Sequence, residues 1–174
     1  MVYLPLLFEE FCKYFDGKLR WGMSGDDWTQ LVLRFFEQEA AKENCLIESN
    51  YMLVDQVWRG KSREIVLALE HENTERIVNR LLEKEVAHLI DLRSRMKVGI
   101  FYPSAGDEAT LMKEIHLRIS NAAASVQIPG EQYMFILGFT TRKEGQQAIQ
   151  FKATILDQLG AVKVHREHVI LRSH

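Results

Sequence analysis

Two acidic residues stand at the end of an apolar stretch, and a third lies on the segment before it. The stretch reads VLALEHEN, so Glu70 and Glu72 follow four apolar residues. Because side chains alternate along a strand, both glutamates are expected on one face and His71 on the other. Asp55 lies within MLVDQVW, and an antiparallel hairpin between the two segments would bring it level with residues 67–70.

Carboxylates gathered at one point repel each other. Two unit charges about 5 Å apart cost roughly 3 kcal/mol at an effective dielectric constant near 20. A shared proton or a bound cation relieves this repulsion. Mg²⁺, or Mn²⁺ in its place, prefers hard carboxylate oxygens and keeps several of its waters. We therefore predict a metal site formed by Asp55 and Glu70.

A helix before these strands carries a further acid on its apolar side. The segment SGDDW predicts a helix over about 25–43, because Ser24 can cap it and two acids lie in its first turn. At helical spacing, Glu39 falls near the centre of the apolar stripe of this helix. A core-facing glutamate requires a partner, so we expect Glu39 to reach the same cation, directly or through water.

The elements that would position these side chains form a strand–helix–strand unit after a hairpin. Such a unit is normally a right-handed crossover between parallel strands. Basic residues near 93–97 would lie at the end of the crossover helix, where its dipole favours cations, and Asn73 or Thr74 would cap its start. The predicted elements are strands over 51–58 and 64–72, a hairpin loop over 59–63, a helix over 73–96 and a strand over 98–103.

The remaining segments complete an α/β protein with a mixed central sheet flanked by helices. We expect residues 1–174 to form a single domain, which this length and composition suit. The stretch MVYLPLLFEEFCKYFDG predicts a short amphipathic helix or an extended arm. The other expected elements are a helix over 106–125, a strand over 133–142 and a strand pair around a turn at 157–160, with a helix within 145–158 as the alternative.

The order of these elements around the acids carries a family resemblance. A helix with Glu39, a strand with Asp55, a strand with Glu70, a long helix and the strand KVGIFY together resemble the core of the PD-(D/E)XK nuclease superfamily. The resemblance covers residues 25–103 and implies a restriction-endonuclease-like fold. It also implies that Asp55 and Glu70 bind Mg²⁺ and that Glu72 helps to activate water.

One position departs from the family pattern. The superfamily usually has lysine where this chain has Glu72, although some of its restriction enzymes carry an acid there. A glutamate offers no positive charge to the phosphate, but it can orient or deprotonate water. Lys84, on the following helix, is a candidate for the missing cation.

Charge and cysteine content set the expectations for partners and location. The net charge of −2 gives no overall attraction to nucleic acid. A local basic tip at Arg59, Lys61 and Arg63 is either a phosphate contact or a solvated turn. The two cysteines form no metal-type pair, and no signal peptide or membrane span is evident, so a cytoplasmic location is expected.

These observations support two main hypotheses. The first is a metal-dependent nuclease that hydrolyses phosphodiester bonds in DNA or RNA, with Asp55, Glu70, Glu72 and Glu39 at its site. The second is an inactive nuclease-fold module that acts as a binding protein. A third reading is an unrelated α/β protein with an accidental motif. Many nucleases of this type form dimers, and a homodimer is left open.

Overall fold

One sheet organises this chain. The computed structural model describes residues 2–20, 22–74, 77–104, 106–122 and 127–172, and seven strands among them form a sheet whose spatial order is the same as their order in the chain. The strands are β1 (Leu46–Tyr51), β2 (Val54–Arg59), β3 (Ile65–Glu72), β4 (Met96–Phe101), β5 (Gln132–Lys143), β6 (Gln146–Asp157) and β7 (Val162–Leu171).

The sheet is mixed. The central strands β3, β4 and β5 are parallel, whereas β1, β2 and β3 are joined antiparallel, as are β5, β6 and β7. This confirms the predicted α/β class with a mixed central sheet flanked by helices. The helices are α1 (Leu4–Phe15), α2 (Gly25–Lys42), α3 (residues 78–91) and α4 (Glu108–Asn121).

The helices divide between the two faces of the sheet. Leu67 and Leu69 of β3 pack in one core cluster with α1 and α2. Ala68, which lies between them, packs in a second cluster with α3 and α4. The alternation of the strand therefore decides which helix each side chain meets.

The helix α2 forms as predicted. The side chain of Ser24 caps it by accepting a hydrogen bond from the backbone N–H of Asp27 at 3.1 Å. Its apolar stripe includes Phe35 and Phe36, which are buried in the core shared with α1. The local signals at 24–42 were therefore sufficient for this element.

The strand β1 was not predicted from the sequence, and the turn that follows it carries no typical turn residues. Tyr51 pairs with Val54, so Met52 and Leu53 alone form the turn between β1 and β2. Their φ angles of 45° and 72° lie in the left-handed region. Such turns usually carry Asn-Gly or similar pairs, and a Met-Leu pair gives no such signal. The predicted strand at 51–58 accordingly starts three residues later.

The crossover helix is shorter than the predicted 73–96. It is an α-helix over Val78–Leu81, widens into a π turn over Leu82–Val86 and continues as α over Ala87–Asp91. Asn73 does not cap it, because its amide donates to Gly25 O at 2.7 Å and so ties the end of β3 to α2. The following strand and helix each lie within a few residues of the predicted positions.

The C-terminal region consists of strands. The alternative helix within 145–158 is wrong, because β6 pairs along its length with both β5 and β7. The turn after β6 is held by Asp157, whose side chain accepts from the backbone N–H groups of Leu159 and Ala161, both at 2.9 Å. No helix within the described ranges is long and apolar enough to span a membrane.

Candidate active site

Asp55 and Glu70 lie side by side on the face covered by α3. Gln56 pairs with Leu69 across β2 and β3, so the next step of the register brings Asp55 level with Glu70. The carboxylate Oδ2 of Asp55 also accepts a hydrogen bond from the backbone N–H of His71 at 2.7 Å. The structure thus brings together the two acids that the sequence placed at the centre of the site.

Glu70 is buried without a hydrogen-bond donor for one of its oxygens. Glu70 is 5% exposed, and its Oε2 has no hydrogen-bond partner. Burial, the largest cause, raises the pKa of Glu70 to about 10 together with a side-chain hydrogen bond with Glu85 and the charges of Asp55 and Glu85. The folded protein therefore keeps Glu70 protonated at neutral pH unless a cation replaces the proton.

Asp55 experiences the same environment more weakly. Burial raises its pKa most, and the charges of Glu85 and Glu72 add to this, while the hydrogen bond from the His71 N–H opposes it. Four acids thus influence one another at this end of the sheet: Asp55, Glu70, Glu72 and Glu85.

Glu85 is the member of this group that the sequence analysis missed. It lies in the π turn of α3, one helical turn after the buried Leu81 and next to the buried Val86. Single π turns occur frequently at functional sites. The apolar stripe of the crossover helix carried the same signal that singled out Glu39, namely an acid on a core-facing position.

Glu72 lies at the rim of the site. It is half-buried, and its Oε1 accepts hydrogen bonds from the backbone N–H and the hydroxyl of Thr74, both at 2.6 Å. Its charge contributes to the raised pKa of Asp55, so it lies close enough to interact with that acid.

Glu39 lies away from these acids, and its expected place in the site is wrong. The helix α2 packs on the face of the sheet opposite to α3, and Glu39 forms an ion pair with Lys42 at 2.5 Å. Helical periodicity identified its inward direction correctly, but it could not indicate which face of the sheet the helix covers.

The predicted cations also lie elsewhere. Lys84 is exposed on α3, and it does not contribute to the shifted pKa of either buried acid. The tip with Arg59, Lys61 and Arg63 lies at the opposite end of the β2–β3 hairpin from Asp55, because β2 begins near that acid and ends at the tip. Arg59 is held by Glu48 Oε2 at 2.7 Å. The tip is therefore not beside the site.

The donor chemistry of the site fits a hard cation. Within the described part of the chain, neither Asp55 nor Glu70 forms an ion pair with lysine or arginine. No group of three or more His, Cys, Asp or Glu side chains in that part of the chain is arranged to hold a metal ion. Mg²⁺ is commonly held by one or two carboxylates together with waters and substrate phosphates, so two acids and an unpartnered oxygen are compatible with it.

The ring of His71 lies on the other face of the sheet, as its place in the strand predicts. Its Nε2 is 3.3 Å from the hydroxyl of Tyr102, which in turn accepts a hydrogen bond from Trp28 Nε1 at 2.6 Å. Burial lowers the pKa of His71 to about 4, so the ring is neutral at physiological pH. This histidine therefore serves the packing of α2 on the sheet.

The solved structures to which this chain is similar include two YaeQ proteins, both with low TM-scores. The chain is similar to the YaeQ protein from Xanthomonas axonopodis pv. citri, with 14% identity, a TM-score of 0.28, and coverage of 73% of this chain and 71% of that one. It is also similar to the YaeQ protein from Pseudomonas syringae, with 12% identity, a TM-score of 0.25, and coverage of 97% and 75%. No family model and no curated protein matches the chain.

Proposed function

We propose that this protein is a metal-dependent nuclease with a restriction-endonuclease-like core, acting on phosphodiester bonds in DNA or RNA. The observation that carries this proposal is the convergence of Asp55 with Glu70, whose buried oxygen lacks a donor. A buried carboxyl among other acids is costly to maintain for structure alone. A divalent cation would satisfy this oxygen and neutralise its neighbours at once.

The residues divide into two roles. Asp55 and Glu70 would hold Mg²⁺ or Mn²⁺, and Glu85 would add negative charge behind them from α3. When bound, the metal supplies a Lewis acid for a phosphate oxygen and lowers the pKa of water. Glu72, at the rim, is placed to orient a water or to accept its proton. The hydrogen bond from the His71 N–H fixes the orientation of the Asp55 carboxylate.

Cleavage assays test this assignment directly. Plasmid DNA and single-stranded RNA are incubated with millimolar Mg²⁺ or Mn²⁺ and with the Asp55→Asn, Glu70→Gln and Glu72→Gln variants. We expect the first two to lose roughly 100-fold or more in rate, because they remove charge at the metal. Glu72→Gln should lose about as much and should also flatten the pH dependence of the rate.

Glu39→Gln is the matched control. It is also a partly buried glutamate, but it lies on the opposite face of the sheet, so cleavage should remain at the wild-type rate. Cleavage that survives all three site substitutions would exclude these residues as the active site.

A second candidate is a non-catalytic module on the same fold. It is favoured by Glu72 in the usual lysine position and by the exposed position of Lys84. Calorimetric titration with Mg²⁺ and Mn²⁺ separates the two functions. Heat of binding that disappears in Asp55→Asn supports the nuclease, whereas no binding at millimolar metal supports the module.

A further inference from the structure

A cavity lies on the face of the sheet opposite to the carboxylates. It has a volume of about 420 Å³, within the usual range for small-molecule sites. Tyr102, which directly follows β4, and Gly138 of β5 line it from the sheet, and Trp28 lines it from the first turns of α2. Asn73, also in the lining, directly follows Glu72, so the cavity and the carboxylate site share one end of β3. We name this space the aromatic cavity.

The aromatic walls of this cavity are fixed in position. Trp28 Nε1 donates to the Tyr102 hydroxyl at 2.6 Å, and the two rings meet at an angle of 74°. The Trp28 ring also stacks parallel to Phe151, with centroids 6.2 Å apart. Rings held from several sides lose little further freedom when a planar ligand packs against them.

A glycine creates the space for one of these walls. A Cβ at Gly138 would lie 2.5 Å from two carbons of the Tyr102 ring, so any other residue would displace that ring. Gly138 itself lines the cavity. Glycine at this position therefore lets the tyrosine lie against the backbone of β5 and leaves the cavity open.

Arg172 is the charged side chain that lines the cavity. Its backbone N–H is held by Gln147 O at 3.0 Å, but its guanidinium forms no ion pair within the described ranges. Gly25, the first residue of α2, also lines the space, but Asp26 and Asp27 in the first turn offset the positive potential of the helix start, so the positive charge at this side comes from Arg172. An anionic group is therefore favoured at this side of the cavity.

Hydrogen-bonding groups complete the lining. Ser104 and Thr140 lie around the aromatic walls, and Ser24 and Asn73 lie beside them with side chains already bonded to Asp27 and to Gly25 O. The cavity thus has aromatic walls, hydrogen-bonding side chains and an arginine. A ligand that matches these three features is planar, carries several polar atoms on its edge and bears an anionic group. A nucleotide has this chemistry, since bases stack on aromatic rings and arginine binds phosphate.

We propose that the aromatic cavity binds a single nucleotide, with its base against Trp28 and Tyr102 and its phosphate at Arg172. Two sources share this chemistry, a free mononucleotide and an unpaired nucleotide of a nucleic-acid strand. The second source rests on the proposed function, since it would place the cavity as a substrate contact at the same end of β3 as the carboxylates.

The test measures binding in EDTA, where no divalent metal is present. Wild-type protein is titrated with 5′-AMP, with a short single-stranded oligonucleotide, with adenosine and with inorganic phosphate, by calorimetry and by NMR of the Trp28 indole N–H. We expect AMP to bind at least tenfold more tightly than adenosine or phosphate and to shift the Trp28 signal. If the oligonucleotide binds more tightly than AMP, the site is assigned to a nucleic-acid strand. If AMP binds more tightly, the site is assigned to a free mononucleotide.

Matched arginine variants locate the phosphate. Arg172→Gln should weaken AMP binding at least tenfold, while Arg166→Gln, on the same strand region but outside the lining, should bind like the wild type. Equal binding of AMP by both variants, an unmoved Trp28 signal, or phosphate binding as tight as AMP would each overturn the proposal. The Trp28 signal is read on wild-type protein, so this result does not depend on how a variant folds.

The two proposals fail separately. Asp55→Asn should retain AMP binding in EDTA, because that acid lies on the other face of the sheet. Retained binding together with unaffected cleavage would contradict the nuclease assignment alone. AMP binding that is unchanged in Arg172→Gln, together with cleavage that is lost in Asp55→Asn, would contradict the nucleotide site alone.

Discussion

Two buried glutamates on the same face of the sheet have opposite surroundings. Glu131 is 1% exposed and is paired with Lys97 Nζ at 2.8 Å, and it also accepts from the Tyr133 hydroxyl and from Ile128 N at 3.2 Å. Glu70 is 5% exposed, yet one of its oxygens has no donor and its neighbours are acids. The chain therefore contains one completed buried carboxyl, in which both oxygens have donors, and one uncompleted carboxyl, in which one oxygen has none.

The difference separates a buried ion pair with a structural role from a buried carboxyl that is a candidate for the proposed site. Lys97 Nζ also donates to Ile90 O at 2.9 Å, so the Glu131 group joins the end of α3 to the start of β4 and β5. Such a network holds elements together because each polar atom has a partner. Glu70 has a hydrogen bond with Glu85 but no cation among the described residues, and its Oε2 has no donor, which is the basis for the proposal of a metal site there.

The largest expected effect comes from breaking the completed pair. Lys97→Met keeps the approximate length of the side chain but leaves Glu131 buried without its cation. We expect a loss of about 3–5 kcal/mol in the free energy of unfolding, measured by urea denaturation. The double variant Lys97→Met with Glu131→Leu should recover most of this loss. A single variant that loses less than about 1 kcal/mol would show that the pair is not structural.

A smaller effect of opposite sign, on the order of 2 kcal/mol at pH 6 and growing as the pH rises, is expected at Glu70. The folded protein keeps this proton up to about pH 10, while the unfolded chain releases it near 4.5, so ionisation costs stability as pH rises between these values. Glu70→Gln cannot ionise, so it should gain stability over the wild type by up to about 1.4 kcal/mol per pH unit in this window.

The control for that experiment is the other glutamate. Glu131→Gln should not become more stable than the wild type at any pH between 6 and 9, because its carboxylate is already compensated. Denaturation curves at several pH values measure both variants. If the free energy of unfolding changed with pH to the same extent in Glu70→Gln and in the wild type, the contrast between Glu70 and Glu131 would be contradicted.

The smallest effect is expected from the neighbour that α3 brings to the site. Glu85→Gln removes a like charge next to Glu70, so the pKa of Glu70 should fall. It should still stay above its ordinary value of 4.5, because burial is the larger cause of the shift. Carbon NMR titration of the Glu70 carboxyl measures this. A return to the ordinary value would identify Glu85, rather than burial, as the main cause.

The parts of the site that depend on local pattern could be predicted from the sequence. Asp55 and Glu70 meet because a hairpin and the alternation of two strands place them together, and both features are short-range. Glu39 and Glu85 depend instead on which face of the sheet each helix covers. Periodicity marks the inward side of a helix, but the packing of helices on a sheet is decided by distant residues.

Two elements show why other details were missed. The exposed edge strand β1 has neither an alternating pattern nor a typical turn sequence after it, so its pairing with β2 is what makes it a strand. Lys97 was expected at the end of a helix, but it is the second residue of β4 and is fully buried. Its partner Glu131 lies 34 residues away, and no local signal links the two.

The order of the strands has a consequence for how the chain assembles during synthesis. Each strand pairs with the strand made just before it, so the sheet can grow in one direction as the chain emerges. The helix α1 is the exception, because it is made first but contacts β6 and β7, with Phe11 and Phe151 in edge-to-face contact at 5.2 Å. The core on that face can therefore form fully only after β6 and β7 have been made. Until then α1 lacks these contacts, which join residues far apart in the sequence.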